Sequence, residues 1–403
     1  MRLHRNLVLA VIKVLDGVFN QDLYADKTIE KILKSDKRWG SRDRGFIAET
    51  CYEIVRWKRL YIEIAEVKNP FQYQNLWRIF SVWAVLKGIS LPNWKEFQET
   101  PKRRIKGKFD KLSKIRKFRE SIPDWIDELV SKEIGEKKWE KEIAELNKKA
   151  PVILRANTLK ISSKELQKVL LDEDVLVESI NGYPDALQLR ERSNLFKKDS
   201  FQKGLFEVQD ASSQLVAPFL QIDQGMKICD VCAGAGGKTL HLSAISQNKG
   251  QIIAMDIYRH KLTQLKRRAK RNGAFNIETK LIENSKSIKR LKGKIDRLLI
   301  DAPCSGLGVL RRNPDSKWKL QPDFLIKIKK TQLKILKQYS SMVKNDGKMV
   351  YATCSILPSE NELQIEKFLN SDEGKHFELE EEKKISPLVS GFDGFYMARL
   401  SLK

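Results

Sequence analysis

Two cysteines carry the clearest chemistry in this sequence. Cys304 lies in Asp301-Ala302-Pro303-Cys304-Ser305-Gly306, and Cys354 lies about fifty residues later in Tyr351-Ala352-Thr353-Cys354-Ser355. The first motif follows Ile295 and the run Leu298-Leu299-Ile300, and the second ends another apolar run. Runs of this kind read as buried parallel strands. Open α/β sheets place their ligands at the carboxyl ends of such strands. A cysteine there can act as a covalent nucleophile near neutral pH. Carbon 6 of a pyrimidine accepts such a nucleophile, and the addition makes carbon 5 electron-rich enough to attack a methyl donor. The addition needs an acid or hydrogen-bond partner at ring nitrogen 3, and Asp301 stands in the same loop as Cys304. Release needs a base for the carbon-5 proton. Either cysteine alone could be a small buried residue. Two of them, at neighbouring strand ends beside polar loop residues, point to covalent chemistry on a base, with the attacking thiol left open.

A second motif supplies a candidate cofactor site. Asp230-Val231-Cys232-Ala233-Gly234-Ala235-Gly236-Gly237-Lys238-Thr239 follows the expected strand Lys227 to Val231 and opens a helix. Small residues let the backbone approach a ligand, and the helix N-terminus favours negative charge. The end of this stretch is similar to a phosphate-binding loop, but that pattern wants glycine where Cys232 stands. The dinucleotide fingerprint does not match in register. An adenosine-type cofactor without a pyrophosphate remains. It predicts an acidic residue at the end of the next strand for the ribose hydroxyls, about 20 residues on, where Asp256 stands. Cys229 and Cys232 have a Cys-x-x-Cys spacing. No second pair accompanies them, Cys229 falls inside a strand and the four histidines are scattered, so no metal is expected.

These residues need elements to position them. From about 211 the chain alternates strand and helix. Strands are expected at Gln251 to Met255, Lys280 to Ile282, Asp296 to Ile300 and Lys348 to Ala352, with a possible return strand at Gly394 to Leu402. Helices are expected at Lys238 to Ser246, up to Asn272, at Asp323 to Val343 and at Ser359 to Leu369. This rhythm predicts a doubly wound, Rossmann-like α/β domain over 211–403. Pro151 marks a change of pattern, and 145–210 reads as a small α+β module: strands at Val152 to Arg155 and Leu187 to Leu189, and a helix at Ser163 to Leu171. Residues 1–140 read as helical, with Leu7, Val11, Leu15 and Val18 on one face and Ser41 as a helix cap.

A chain of 403 residues favours two or three domains, and 41% hydrophobic with 32% charged residues fits a globular protein. The formal charge of +24 favours a polyanionic partner, most simply nucleic acid. No apolar run is long enough to span a bilayer and no signal peptide is evident, so no membrane partner is expected. An odd number of scattered cysteines argues for a reducing, cytoplasmic setting rather than a disulfide framework. The stretch from Pro101 to Glu120 is strongly basic, with Lys102, Arg103 and Arg104 at its start and Phe109 and Phe118 interleaved. It reads either as a solvated face or as an RNA contact through phosphate neutralisation.

The two cysteine motifs, with Arg311-Arg312-Asn313-Pro314-Asp315 and Lys317-Trp318, resemble the RNA cytosine-5 methyltransferases related to ribosomal RNA small-subunit methyltransferase B. The resemblance extends to Leu154-Arg155-Ala156-Asn157-Thr158, to Val208-Gln209-Asp210-Ala211-Ser212-Ser213, and to N-terminal helices similar to a NusB-like RNA-binding domain. It implies S-adenosyl-L-methionine as methyl donor and RNA, ribosomal RNA in the nearest case, as partner. It makes Cys354 the nucleophile at carbon 6, although DNA cytosine methyltransferases use the thiol after proline. It makes Cys304 the residue that assists release, and Asp301 the holder of the cytosine at the border of the cofactor site. Cys232, Ala233, Gly234, Ala235, Gly236, Gly237, Lys238 and Asp256 would hold the cofactor. Two positions depart from the family: proline is usual where Ala235 stands, and aspartate, contacting adenine, where Asn284 aligns. Arg311 and Arg312 follow the catalytic loop and are expected near a phosphate of the bound RNA. The base must leave its stack to reach Cys354. The competing expectation is an RNA-binding or assembly protein that keeps the fold without catalysis. Oligomeric state is open, with a monomer favoured.

Overall fold

The computed structural model describes residues 2–191 and 193–403. The chain forms two compact units: Met1–Lys148 with Leu310–Gln321, and Lys149–Val309 with Pro322–Lys403.

The second unit holds two sheets. The smaller is antiparallel, with strands β1 (Ile153–Ala156), β2 (Val177–Ile180), β3 (Tyr183–Leu189) and β4 (Phe206–Val208) in the order β2-β3-β1-β4. Helix Ser163–Asp172 packs Leu166 and Leu170 into one apolar cluster with Leu154 and Leu187. Its start is capped reciprocally: Ser162 Oγ accepts from the Glu165 amide, and the Glu165 carboxylate accepts from the Ser162 amide.

The larger sheet has seven strands: β5 (Lys227–Asp230), β6 (Gln251–Asp256), β7 (Ile277–Leu281), β8 (Ile295–Asp301), β9 (Val343–Thr353), β10 (Phe377–Ile385) and β11 (Phe395–Leu402). Their order is β10-β11-β9-β8-β5-β6-β7. Strands β5 to β9 run parallel, and β11 pairs antiparallel with both β9 and β10. The chain moves outward from β5 to β7, then returns to lay β8 on the other side of β5. The β5/β8 boundary is therefore the point where the winding reverses, the place such sheets use for ligands. The apolar run in β8 is explained by burial on both faces. Leu298 and Ile300 join a core with Leu336, Tyr339 and Phe368, while Leu299 joins the opposite core with Val216, Leu220 and Leu242.

Several boundaries differ from the sequence expectations. The helix expected to reach Val343 is Pro322–Ser340, because Val343 already starts β9. The helix expected from Ser359 begins at Glu362, after a 3-10 turn over Pro358–Glu360. The third strand lies earlier, at Ile277–Leu281. Strand β10 has no counterpart in the sequence expectations, because only its two ends, Phe377 and Ile385, are buried. Its charged middle is what an edge strand carries to discourage further pairing. Gly40, not Ser41, occupies the N-cap of helix Ser41–Arg56, and its amide donates to Asp43.

The first unit is built of helices, most of them around an apolar core that runs from Leu3 to Ile105 in sequence. Leu7, Val11, Leu15 and Val18 of helix Arg5–Phe19 are buried there, as their spacing predicts. The segment Leu310–Gln321 is part of this unit. Trp318 Nε1 donates to the Val55 carbonyl at 2.7 Å, and the Ala25 amide donates to Asp315 Oδ2 at 2.9 Å. The side chain of Lys317 is buried and donates to Asn147 Oδ1 at 3.2 Å.

Candidate active site

Four strand ends converge on one cavity of about 670 Å³ in the second unit, a volume in the range of small-molecule sites. Its walls include the loop after β5, Asp256 at the end of β6, Asp301 to Cys304 after β8, and Cys354 after β9.

The cofactor side is made of the loop and β6. Cys232, Ala233, Gly234, Ala235, Gly237 and Lys238 line the cavity. Gly236 does not. It adopts a φ of +88°, and a Cβ there would lie 2.6 Å from Leu265 Cγ, so its task is to let the loop close on helix Arg259–Asn272. Asp256 accepts from the Gly234 and Tyr258 amides, each at 2.8 Å, which fixes the carboxylate at the wall. Ile257, Tyr258 and Ile282 add apolar surface. An adenosine group fits these residues: apolar side chains for a flat ring, a fixed carboxylate for hydroxyls, and a backbone loop without bulky side chains. Ala235 leaves the loop intact, and its carbonyl accepts from Arg268 Nη1 at 2.8 Å. Arg268 is itself paired with buried Glu207 of β4. Asn284 is placed elsewhere. It is exposed, lies off the cavity wall, and its Oδ1 accepts from the Lys286 amide at 2.9 Å ahead of helix Lys286–Lys289. The residue expected to contact adenine is thus not among those that line the cavity.

The reaction side holds two pairs of groups. The Cys304 and Cys354 sulfurs are 3.3 Å apart. Backbone pairing sets this approach: Ala302 N donates to Ala352 O at 2.8 Å, and Gly308 N donates to Cys354 O at 3.0 Å. Gly308 must be glycine here, since a Cβ would lie 2.3 Å from the Gly394 carbonyl oxygen. Cys304 is pushed well above the ordinary thiol range by its hydrogen bond with Cys354, by burial, and by the nearby charges of Cys354 and Glu360. Lys238 and Asp301 form the second pair, with Nζ to Oδ2 at 2.6 Å. Burial opposes the charge on Lys238, but Asp301 outweighs it and raises the lysine above its ordinary value; Cys354 adds to the effect. Lys238 thus answers to Asp301 and Cys354 as well as standing in the loop. Cys229 belongs to the core and Cys232 packs against it at the cavity wall, with both thiols pushed up by burial.

The sequence reading missed two contributions. Thr331, Lys334, Ile335, Gln338 and Tyr339 of helix Pro322–Ser340 line the cavity. Their spacing is that of a single helix face, so periodicity could have marked them. Glu360 is the second. It is fully buried, and the hydroxyls of Ser305 and Ser355 both donate to it.

The residues expected to touch RNA are placed unequally. Arg311 is buried, and its guanidinium meets the Glu145 carboxylate at 3.2 Å within the first unit. That corrects the expectation, because a side chain enclosed this way offers no surface to a phosphate. Arg312 is half-buried. Lys102, Arg103 and Arg104 are exposed on helix Lys102–Leu112, and Arg104 is paired with Glu66.

Comparison with known proteins follows the same lines. A family described as 16S rRNA methyltransferase RsmB/F matches residues 217–401, and an RsmF/B-like, ferredoxin-like methyltransferase domain matches residues 122–195. A protein of Synechocystis sp. named "Probable ribosomal RNA small subunit methyltransferase B" is 30% identical over 440 aligned residues, covering 96% of this chain and 97% of its own. The crystal structure of PH0851 shares the fold, with a TM-score of 0.84 at 23% identity over 100% of this chain and 99% of that one. That of a methyltransferase homolog protein from Pyrococcus horikoshii has a TM-score of 0.63 at 25% identity, covering 72% of this chain and 98% of its own.

Proposed function

The chain belongs to the RsmB/F family of 16S rRNA methyltransferases, and from that premise we propose that it methylates carbon 5 of a cytosine in ribosomal RNA through a covalent bond between Cys354 and carbon 6. The observation that carries this reading is the 3.3 Å approach of the two sulfurs beside the Lys238–Asp301 pair in one cavity.

S-adenosylmethionine, when bound, supplies an electrophilic methyl group. Cys232, Ala233, Gly234, Ala235, Gly237, Lys238 and Asp256 would hold it, and Ile257, Tyr258 and Ile282 would offer apolar surface to its adenine. Cys354 Sγ, as the thiolate, adds to carbon 6, and the electron pair of the ring double bond moves to carbon 5. Charge developing on the ring needs a proton-bearing partner at its edge. Lys238, raised above its ordinary value and bonded to Asp301 at 2.6 Å, has protons to donate, so it takes that role and Asp301 orients it. This refines the sequence reading, which looked to Asp301 alone. After carbon 5 has taken the methyl group, its proton passes to a solvent base, the electron pair re-forms the ring double bond, and the carbon 6–sulfur bond breaks to release Cys354 as the thiolate. Cys304, a thiol that holds its proton tightly, donates a hydrogen bond to the departing thiolate.

The test is methyl transfer from labelled S-adenosylmethionine to unmodified ribosomal RNA by wild type, Cys354→Ala and Cys304→Ala. Wild type should label carbon 5 of cytosine, Cys354→Ala should lose transfer, and Cys304→Ala should accumulate a protein–RNA adduct. Full activity in Cys354→Ala would overturn the mechanism.

A further inference from the structure

Glu360 has no place in the reaction just described, yet it joins the two loops that carry it. It closes the 3-10 turn Pro358–Glu360 and is fully buried. Its carboxylate accepts four donors. Oε1 takes the Ser305 amide at 2.8 Å and Gln332 Nε2 at 3.1 Å. Oε2 takes the Ser305 and Ser355 hydroxyls, each at 2.5 Å. Ser305 follows Cys304 and Ser355 follows Cys354, so one carboxylate is bonded to the neighbour of each cysteine. The arrangement extends outward from there. Gln332 Nε2 also donates to the Pro303 carbonyl at 3.0 Å, which holds the other side of Cys304. Asn361 donates to the Ser355 carbonyl at 3.0 Å and receives Thr353 Oγ1 at 2.5 Å, which brackets Cys354 in the same way. Tyr351 Oη donates to the Glu360 carbonyl at 2.8 Å and ties the turn to β9.

Burying a carboxylate is costly unless hydrogen bonds replace its water, and four donors meet that need. A glutamate kept there at such a cost needs a reason beyond filling space, since an apolar side chain would fill it without one. Its charge also disfavours ionisation of Cys304, and so helps keep apart the thiol that holds its proton and the thiol that attacks.

We propose that Glu360 is a positioning residue that binds the two cysteine loops to each other and so sets the spacing of the Cys304 and Cys354 sulfurs. The role rests on the reaction proposed above. A misplacement of about 1 Å in a reacting group costs about 10²-fold in rate. Glu360→Ala should therefore lower kcat by about 10²-fold with the KM for S-adenosylmethionine unchanged. Glu360→Gln keeps part of the hydrogen bonding and should recover a substantial part of that loss. Ser305→Ala and Ser355→Ala should each have smaller effects, non-additive with Glu360→Ala because all three act through one contact.

A second measurement does not depend on methyl transfer. Diamide, an azo dicarbonyl oxidant, converts two thiols to a disulfide and is itself reduced to the hydrazine. In the wild type Cys304 and Cys354 should cross-link readily, and in Glu360→Ala the rate should fall severalfold, with Glu360→Gln in between. Wild-type kcat and wild-type cross-linking in Glu360→Ala would overturn the proposal. So would losses in Glu360→Gln that match its loss of folded protein by thermal melting, since they would make the glutamate a stabilising residue only. A wild type that transfers no methyl group would instead defeat the reaction assignment, and the cross-linking rates would still decide the role of Glu360.

Discussion

Lys238 and Lys317 both have little side chain open to solvent, and their surroundings push them in opposite directions. Lys238, in the second unit, lies 2.6 Å from Asp301 and is raised above its ordinary value despite burial. Lys317, in the first unit, is lowered well below its ordinary value, first by burial and then by Arg56, with Glu120 only partly offsetting them. Its donor contacts are neutral oxygens, the Asn147 side chain and, at 3.4 Å, the Glu120 carbonyl. The same side chain, largely withdrawn from solvent at one place and fully so at the other, serves two ends. Beside Asp301 at the cavity it remains a cation, which the proposed reaction uses at the ring. Among carbonyl oxygens, it is part of how the segment Leu310–Gln321 is held. The partner, rather than the burial, separates chemistry from architecture.

The largest effect that sharpens this contrast is on rate. Lys238→Met should lower kcat/KM by about 10²–10⁴-fold, the range for loss of a proton-bearing catalytic group. Lys317→Met should leave turnover of the folded enzyme near wild type. Comparable rate losses in both would break the distinction. The next effect is on stability. Arg311 is as fully enclosed as Lys317 but has Glu145 as its partner. Arg311→Ala removes a buried guanidinium and its bonds to Glu145, which keeps Lys148 at 2.6 Å, and should destabilise the first unit by about 1.5–3 kcal/mol, the range for hydrogen bonds to charged groups, measured by denaturant unfolding. A change under about 0.5 kcal/mol, the range of ordinary surface substitutions, would mean the pair is not enclosed as described.

A smaller effect separates the two lysines by sign. Lys238 has its folded value raised, so its contribution to stability is complete below the ordinary value of 10.5 and is lost as pH rises through the folded value. Lys317 has its folded value lowered, so it carries a penalty at low pH. That penalty is relieved as pH rises from the folded value towards 10.5. The stability difference between wild type and Lys317→Met should therefore shift in favour of wild type as pH rises towards 10.5. The difference between wild type and Lys238→Met should shift against wild type above that pH. Thermal melts over an alkaline pH series would show the two slopes, and slopes of equal sign would contradict the assignment of their partners.

Much of the catalytic unit could be read from the sequence because its signals are local. The run Leu298-Leu299-Ile300 announces a doubly covered strand, and Cys304 and Asp301 stand at its end. Asp256 follows the glycine loop at the distance a ribose contact expects, and the structure places it on the cavity wall. The misses depend on partners far away in sequence. Arg311 sits just after the catalytic loop, which makes a phosphate contact a reasonable expectation, yet its partner Glu145 is 166 positions away. Glu360 is 55 positions from Ser305 and carries no local mark of its task. Asn284 differs for another reason. The family pattern aligns it with an adenine contact, while the chain after β7 turns it outward to bond Lys286. Strand β10 lacks the apolar alternation that identifies a strand, because an edge strand of charged residues buries only its ends.

The basic stretch near Pro101 divides along the same line between committed and available charge. Arg104 and Lys108 are paired with Glu66, Arg116 with Asp127, Lys117 with Asp124, and Arg119 with Glu120 and Glu140. Lys102 and Arg103 are exposed, and neither has an ion pair among the described residues. If the available charges meet RNA and the committed ones hold the helices, substitutions in the two sets should differ in kind. Lys102→Glu with Arg103→Glu should weaken RNA binding and reduce the slope of log affinity against log salt by about 0.7–0.9 for each phosphate that is no longer neutralised. Arg116→Ala should leave that slope unchanged and lower the melting temperature instead, because it removes a half-buried pair. Equal salt slopes for wild type and the double variant would remove this helix from the RNA surface, and the phosphate contacts would then have to be sought on other basic residues of the +24 chain.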